Sequence, residues 1–220
     1  MILSEKYVEL VKSTVLFSKL NDDEFDKALT LFEAKITGYS KNDFVHIPYT
    51  KMSKFGLVLS GVVQVCTDDI EGNRVIMAEV TPGVTFGESL CFLKIENSPV
   101  YAYASEPAEV LWLSIENPYN FNDEFSVIMQ KKFTSMLATR TLTMNNRIQV
   151  LSKIKLRDKL LTYFNQMSRA TGSLTFTIPL NREDLAAYMG TDRSALCREL
   201  SKMKQDGLID YYKYSFRLNK

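Results

Sequence analysis

The sequence predicts an α+β protein: an N-terminal antiparallel β domain, a long helix and a C-terminal helix-turn-helix module, in that order along 220 residues. Three observations predict it. Short alternating runs separated by turn residues fill the first half, a long stretch without proline or glycine follows, and the last third turns basic around two capped helices. The chain is long enough for two cores, and 45% apolar with 24% charged residues is ordinary globular composition. No run of eighteen apolar residues is present, which argues against a membrane-spanning helix. The opening stretch, MILSEKYVEL, carries acids early and lacks a basic region followed by a long apolar core. That argues against a signal peptide and predicts a cytoplasmic location. Cys66, Cys91 and Cys197 are far apart and form no CxxC pair. They fit a reducing compartment, packed as small apolar groups.

Residues Ser4 to Ala34 read as helical, with Asn21 a candidate N-cap before Asp22, Asp23 and Glu24. From Ile36 to Ile115 the short runs are Phe44–Ile47, Phe55–Leu59, Val62–Cys66, Val75–Val80, Val100–Ala104 and Val110–Leu113. Turn residues separate them: Ser60-Gly61, Glu71-Gly72-Asn73, Thr81-Pro82-Gly83 and Ser105-Glu106-Pro107. This spacing predicts a β-sandwich, jelly roll or barrel, the intervals being too short for helical crossovers.

From Asn122 to Leu151 apolar residues recur at three- and four-residue steps, predicting one amphipathic helix. At about 1.5 Å per residue it would span roughly 45 Å, beyond the reach of a small sandwich. A self-pairing helix, presenting Met129, Phe133, Met136, Leu137, Met144 and Ile148, would cover the excess and make a homodimer. Packing against its own domain is the alternative, and Arg140 and Arg147 interrupt the stripe. The expected organisation is thus residues 1–121, the helix 122–151, and residues 152–220.

Charge divides the same way. Through Ser152 there are 14 Lys+Arg against 19 Asp+Glu, hence −5; from Lys153 there are 13 against 7, hence +6. A basic module attached to an acidic one suggests a polyanionic partner. Lys155–Met167 reads as a helix with Leu156, Leu160, Leu161 and Phe164 on one face, and Leu174–Ile178 as a short strand. Asn181 can cap a helix that buries Leu185, Ala186 and Met189, with Asp184 at its third position. Gly190 permits a sharp turn, Asp192 can cap a second helix that buries Leu196, Leu200 and Met203, and Gly207 ends it. Leu208–Ile209, a polar aromatic turn at Asp210–Tyr214, and Ser215–Leu218 close the chain.

In such a unit the second helix enters the major groove of DNA. Arg193, Ser194, Cys197 and Arg198 lie near its N-terminus, with Ser201 and Lys202 one turn on. Arginine can chelate guanine O6 and N7, while Arg182 and the helix N-terminus capped by Asp192 can hold phosphates.

These residues resemble the winged-helix domain of the CRP/FNR family of bacterial transcription regulators. The likeness extends upstream through Ser60-Gly61-Val-Val-Gln-Val, the Asp69–Arg74 turn, Val80-Thr-Pro-Gly83 and Phe86-Gly87-Glu88-Ser-Leu, which look like the family's cyclic-nucleotide-binding-like β-roll. The resemblance implies a β-roll or jelly-roll sensor domain, a dimerisation helix, and a homodimer on a near-palindromic double-stranded operator in contact with RNA polymerase. Arg193 and Arg198 match recognition positions of the family. Ser194 stands where many members carry a glutamate that reads cytosine, so a different operator is expected. Tyr211, Tyr212 and Lys213 fall where a wing would touch the DNA backbone.

Gly87-Glu88 resembles the start of the family's phosphate-binding cassette, but the arginine and serine expected some ten positions later are replaced by Asn97-Ser98-Pro99-Val100. Without the arginine a cyclic phosphate loses a charge-assisted bond of roughly 1.5–3 kcal/mol, so cyclic AMP is disfavoured. Iron–sulfur clusters need about four cysteine ligands, and the single histidine, His46, reads as a strand-edge residue rather than a haem ligand. Neither cofactor nor metal is expected. The remaining pocket, walled by Met77, Gly87, Glu88, Ser89, Ser98, Pro99, Val100, Leu142 and Thr143, suits a small organic or aromatic effector, or none. A module gating a partner protein is a second function class. An enzyme is disfavoured, since no Gly-x-Ser-x-Gly, P-loop or clustered metal ligands occur.

Overall fold

The computed structural model describes residues 3–121 and 123–219, and divides them into two compact units that part after Ala138. The first unit begins with α1 (Glu5–Ser13) and α2 (Asp22–Leu31). Asn21 caps α2 in a complete capping box: its side chain accepts from the Glu24 amide at 2.9 Å, and the Glu24 carboxylate accepts from the Asn21 amide at 3.0 Å.

Eight strands follow: β1 (Lys35–Tyr39), β2 (Phe44–His46), β3 (Phe55–Ser60), β4 (Val63–Asp68), β5 (Arg74–Val80), β6 (Thr85–Phe86), β7 (Tyr101–Ala104) and β8 (Ala108–Leu113). Between β6 and β7 lies α3 (Glu88–Phe92), and after β8 comes α4 (Glu116–Asn120). Two four-stranded antiparallel sheets form, with orders β1-β8-β3-β6 and β2-β7-β4-β5. That is the jelly-roll arrangement. Period-two alternation builds its layers. Val58 and Val110 face the core between the sheets, with Val63, Val80, Phe86 and Ala102. Their neighbours Leu57, Leu59, Leu111 and Leu113 face a second core shared with α1 and α2.

The long helix α5 (Glu124–Leu151) has 28 residues, and the boundary between the units falls inside it. Its expected start at Asn122 lies outside the described residues. Met129 and Phe133 are fully buried in the first unit's helical core, with Met136 beside them and Leu137 packed on the edge. These four were expected on a self-pairing face; they cover the chain's own domain instead. Leu142, Met144 and Ile148 in the second half are about two-thirds exposed.

The second unit continues with α6 (Leu156–Thr171), β9 (Thr175–Thr177), α7 (Arg182–Met189), α8 (Arg193–Gln205), β10 (Ile209–Tyr212) and β11 (Ser215–Leu218). The last two strands and β9 make a sheet ordered β10-β11-β9. Phe216 lies 4.6 Å from Phe164, ring centroid to centroid, within a core that also holds Leu160, Leu185, Leu196 and Leu200. The turn expected over Asp210–Tyr214 is shorter. Asp210, Tyr211 and Tyr212 belong to β10, and only Lys213-Tyr214 reverse the chain, Lys213 at φ +53. No helix among the described residues is long and apolar enough to cross a membrane.

Candidate nucleic-acid interface and ligand site

The α7–turn–α8 unit is built by caps at both helix starts. The Asn181 side chain accepts from the Glu183 and Asp184 amides at 2.8 and 2.9 Å. Gly190 adopts φ +66, which an L side chain reaches only with strain, and its amide returns to the carbonyl of Ala187. Asp192 then caps α8, accepting from the Ala195 amide at 2.8 Å. That bond holds the Asp192 carboxyl below its ordinary range. Asp192 therefore organises the helix start, and its Oδ1 is engaged there.

One face of α8 holds the helix and the opposite face is free. Leu196, Leu200 and Met203 are buried against Leu185, Ala186 and Met189. Arg193, Ser194, Arg198, Ser201 and Lys202 are exposed, and Cys197 is half-buried at the edge of their stripe. The acids of α8 and its continuation are matched elsewhere. Arg157 of α6 donates to Glu199 and to Asp206, each at 2.6 Å, and Lys204 pairs with Asp210 at 2.6 Å. Among the described residues Arg193, Arg198, Lys202 and Lys213 form no such ion pair, although the charge of Arg198 also helps to lower the Asp192 carboxyl. A helix with its acids paired at one side and its cations exposed at the other is suited to a polyanion.

Beside it, the β10–β11 hairpin projects Tyr212, 74% exposed, with the Lys213 ammonium 5.6 Å from its ring centre. Arg182, expected as a phosphate ligand, has a partner the sequence did not reveal. Its Nη2 donates to the Lys213 carbonyl at 2.9 Å. A hollow of about 410 Å³ is lined by Arg182, Lys213 and Tyr214.

The expected effector pocket is distributed over both units. In the first, Gly87 adopts φ +80 at the start of α3, and a Cβ there would lie 2.1 Å from the Met52 sulfur. The Glu88 side chain is buried, accepting from the Thr85 hydroxyl. Ser98 is also buried: its carbonyl accepts from the Tyr49 amide at 2.7 Å and its hydroxyl from the Val100 amide at 3.2 Å. The segment holding Tyr49 and Met52 thus touches both the Gly87 turn and the Ser98 loop. Met77, Ser89 and Pro99 are exposed and Val100 is half-buried. Leu142 and Thr143 belong to the second unit and are exposed.

The roll's one arginine, Arg74, is committed to aromatic partners: its Nε donates to the Tyr101 hydroxyl at 3.3 Å and its guanidinium lies 4.3 Å from the Tyr103 ring centre. Periodicity offered no signal for this cluster, because Arg74 and the two tyrosines are far apart in sequence. A separate hollow of about 330 Å³ is lined by Phe92, Lys94, Ile115, Glu116, Tyr119 and Asn120, none of them foreseen.

Cys91 is buried, its thiol donating to the Ser53 carbonyl at 3.3 Å, and burial pushes that thiol up to about 11. Cys66 is likewise buried and raised by desolvation. His46 ends the edge strand β2; burial lowers its imidazole, whose Nε2 is enclosed without a hydrogen-bond partner among the described residues. Among those residues no three His, Cys, Asp or Glu side chains gather into a group able to hold a metal.

Residues 37–121 match the family described as a cyclic nucleotide-binding domain, and residues 154–219 match the Crp-like helix-turn-helix domain. No curated protein sequence matches the chain. Among solved structures it is similar to the catabolite activator protein of Thermus thermophilus, at 22% identity over 94% of each chain with a TM-score of 0.53. DNR from Pseudomonas aeruginosa is 16% identical, covering 100% of this chain and 96% of its own, also at 0.53. CLP of Xanthomonas campestris, described as a c-di-GMP responsive global regulator, is 17% identical over 91% of this chain and all of its own, at 0.50. At these identities the likeness shows a shared fold.

Proposed function

This chain belongs to the CRP/FNR family of transcription regulators, and on that premise we propose how it works. It is a DNA-binding regulator, and α8 is the helix that reads the operator. Arg193 and Arg198 contact guanine edges or phosphate, Ser194, Cys197 and Ser201 complete the reading stripe, and Lys202, Tyr212 and Lys213 meet the backbone. The observation that carries this reading is the charge pattern on α8: Glu199 and Asp206 are held by Arg157, while Arg193, Arg198 and Lys202 are exposed and form no ion pair among the described residues.

A second copy covers the exposed second half of α5. Leu142, Met144, Ile148 and Leu151 are all exposed apolar groups within a single chain, and dimers of such readers bind paired half-sites in pseudo-palindromes. The protein acts in the cytoplasm, where it contacts RNA polymerase. Its effector is a small organic molecule other than cyclic AMP. The loop at Ser98 offers no arginine to a cyclic phosphate, and Arg74 is engaged with Tyr101 and Tyr103.

Selection from a random DNA pool, with and without small-molecule cell extract, tests the whole reading. A symmetric consensus is expected whose affinity falls steeply with salt, by about 0.9 log unit per log unit of salt for each phosphate neutralised. Arg198→Ala should erase about 1–3 kcal/mol of discrimination at one base pair of each half-site. A pure protein that retains no fragment at low salt would sink the proposal.

A further inference from the structure

We propose that Arg182 is a positioning residue for the wing: it sets the Lys213–Tyr214 turn so that Tyr212 and Lys213 reach the DNA backbone in step with α8. The inference rests on the reading of this domain as a DNA reader.

Arg182 is the first residue of α7, half-buried beneath the wing. Its guanidinium lies 4.9 Å from the ring centre of Phe216 and 5.2 Å from that of Tyr211. Phe216 is itself fixed in the domain core, 1% exposed. The plane of the guanidinium is thereby held against β10 and β11, and its Nη2 is aimed at the Lys213 carbonyl, 2.9 Å away. Lys213 is the turn residue in the left-handed region, at φ +53. A non-glycine residue stays there only when its surroundings over-determine it. A second anchor arrives from outside the hairpin, the Ile178 amide donating to the Tyr214 carbonyl at 3.0 Å. Both carbonyls of the turn are thus held by groups on other elements, and the Arg182 anchor comes from the very start of the helix that precedes α8.

Lysine cannot substitute in this role. It carries the charge but has no plane to lie over Tyr211 and Phe216 and no fixed fork to aim. A simple phosphate ligand at the same position would tolerate the exchange, because a point charge suffices for that contact.

The test is a salt series of operator binding by fluorescence anisotropy on the full-length protein, with Arg182→Lys, Arg182→Ala, Lys213→Ala and the double variant Arg182→Ala/Lys213→Ala. Arg182→Ala and Lys213→Ala should each weaken binding about tenfold, the size of one charge-assisted bond. Arg182→Lys should fall with Arg182→Ala rather than with the parent. The double variant should lie close to Arg182→Ala alone, because Arg182 acts through the wing contacts and Lys213 makes one of them. Hydroxyl-radical footprints of Arg182→Lys should lose protection at the wing phosphates and keep it at the bases under α8. If Arg182→Lys binds like the parent, or the two alanine losses multiply, Arg182 is a direct phosphate ligand and the inference is overturned. A parent protein that binds no DNA fails the underlying reading instead, which the same titration separates. Should Arg182→Ala not fold, Arg182→Lys and its footprint decide alone.

Discussion

Phe133→Ala separates the two fates the sequence allowed for the long helix. Phe133 is fully buried, with ring centroids 5.5 Å from Phe55, 5.8 Å from Phe92 and 6.4 Å from Tyr119. Truncating a buried phenylalanine costs about 3–5 kcal/mol, from lost transfer energy and from the cavity left behind. Each aromatic pair adds roughly 0.5–1.5 kcal/mol beyond burial, so the upper end of that range is expected. The assay is urea denaturation followed by the fluorescence of Trp112, the single tryptophan, which sits in β8 of the same unit with its Nε1 donating to the Tyr39 hydroxyl at 3.0 Å. With an m-value of about 2 kcal/mol/M, the midpoint should fall by roughly 2 M. The difference between variant and parent should be the same at low and at tenfold higher protein concentration. A deficit that shrinks as concentration rises, or one below about 1 kcal/mol, would refute placing Phe133 in the intramolecular core and return it to a subunit interface.

Two further outcomes follow from the titrating groups. The His46 imidazole is lowered from 6.5 by burial, so the unfolded chain takes up its proton first. Stability is therefore complete above about pH 6.5 and declines as pH falls below it, before the lowered carboxylates of Asp22, Asp69 and Asp123 begin to titrate. His46→Gln should flatten that part of a urea-midpoint profile, and an unchanged slope would refute the assignment. Among the thiols, Cys197 is half-buried on α8 while Cys91 is enclosed and pushed up to about 11. Iodoacetamide followed by peptide mass mapping should label Cys197 ahead of the buried Cys66 and Cys91, with operator DNA slowing Cys197. Equal labelling of Cys91 would contradict its enclosure.

Strands and caps were legible wherever one local rule decided them. The runs at Phe55–Leu59 and Val75–Val80 alternate or are bounded by turns, and they became β3 and β5. Asn21, Asn181 and Asp192 cap three helices because a short side chain before a helical run has few better uses. Strand β1 escaped, since Lys-Ile-Thr-Gly-Tyr holds a glycine and little alternation, and its place comes from pairing with β8. The five-residue helices α3 and α4 are too short to show a period. Periodicity located the apolar stripe of α5 but carried no information on what covers it, and Met129 and Phe133 went to the chain's own core. Likewise the sequence marked Arg182 as a phosphate ligand and gave no sign of its bond to the wing, because that partner is a backbone carbonyl thirty-one positions away.

The split character of α8 bears on how such a regulator changes over generations. Everything that fixes the helix, namely Leu196, Leu200, Met203, the Asp192 cap and the Arg157 bonds to Glu199 and Asp206, lies off the stripe formed by Ser194, Arg198 and Ser201. Exposed substitutions away from packing and caps usually shift stability by no more than about 0.5 kcal/mol. Letters on that stripe can therefore be rewritten one at a time without threatening the fold that displays them. On the proposed reading of α8, new target sites become reachable by single mutational steps, and a duplicated copy of this chain has an open route to a regulon of its own.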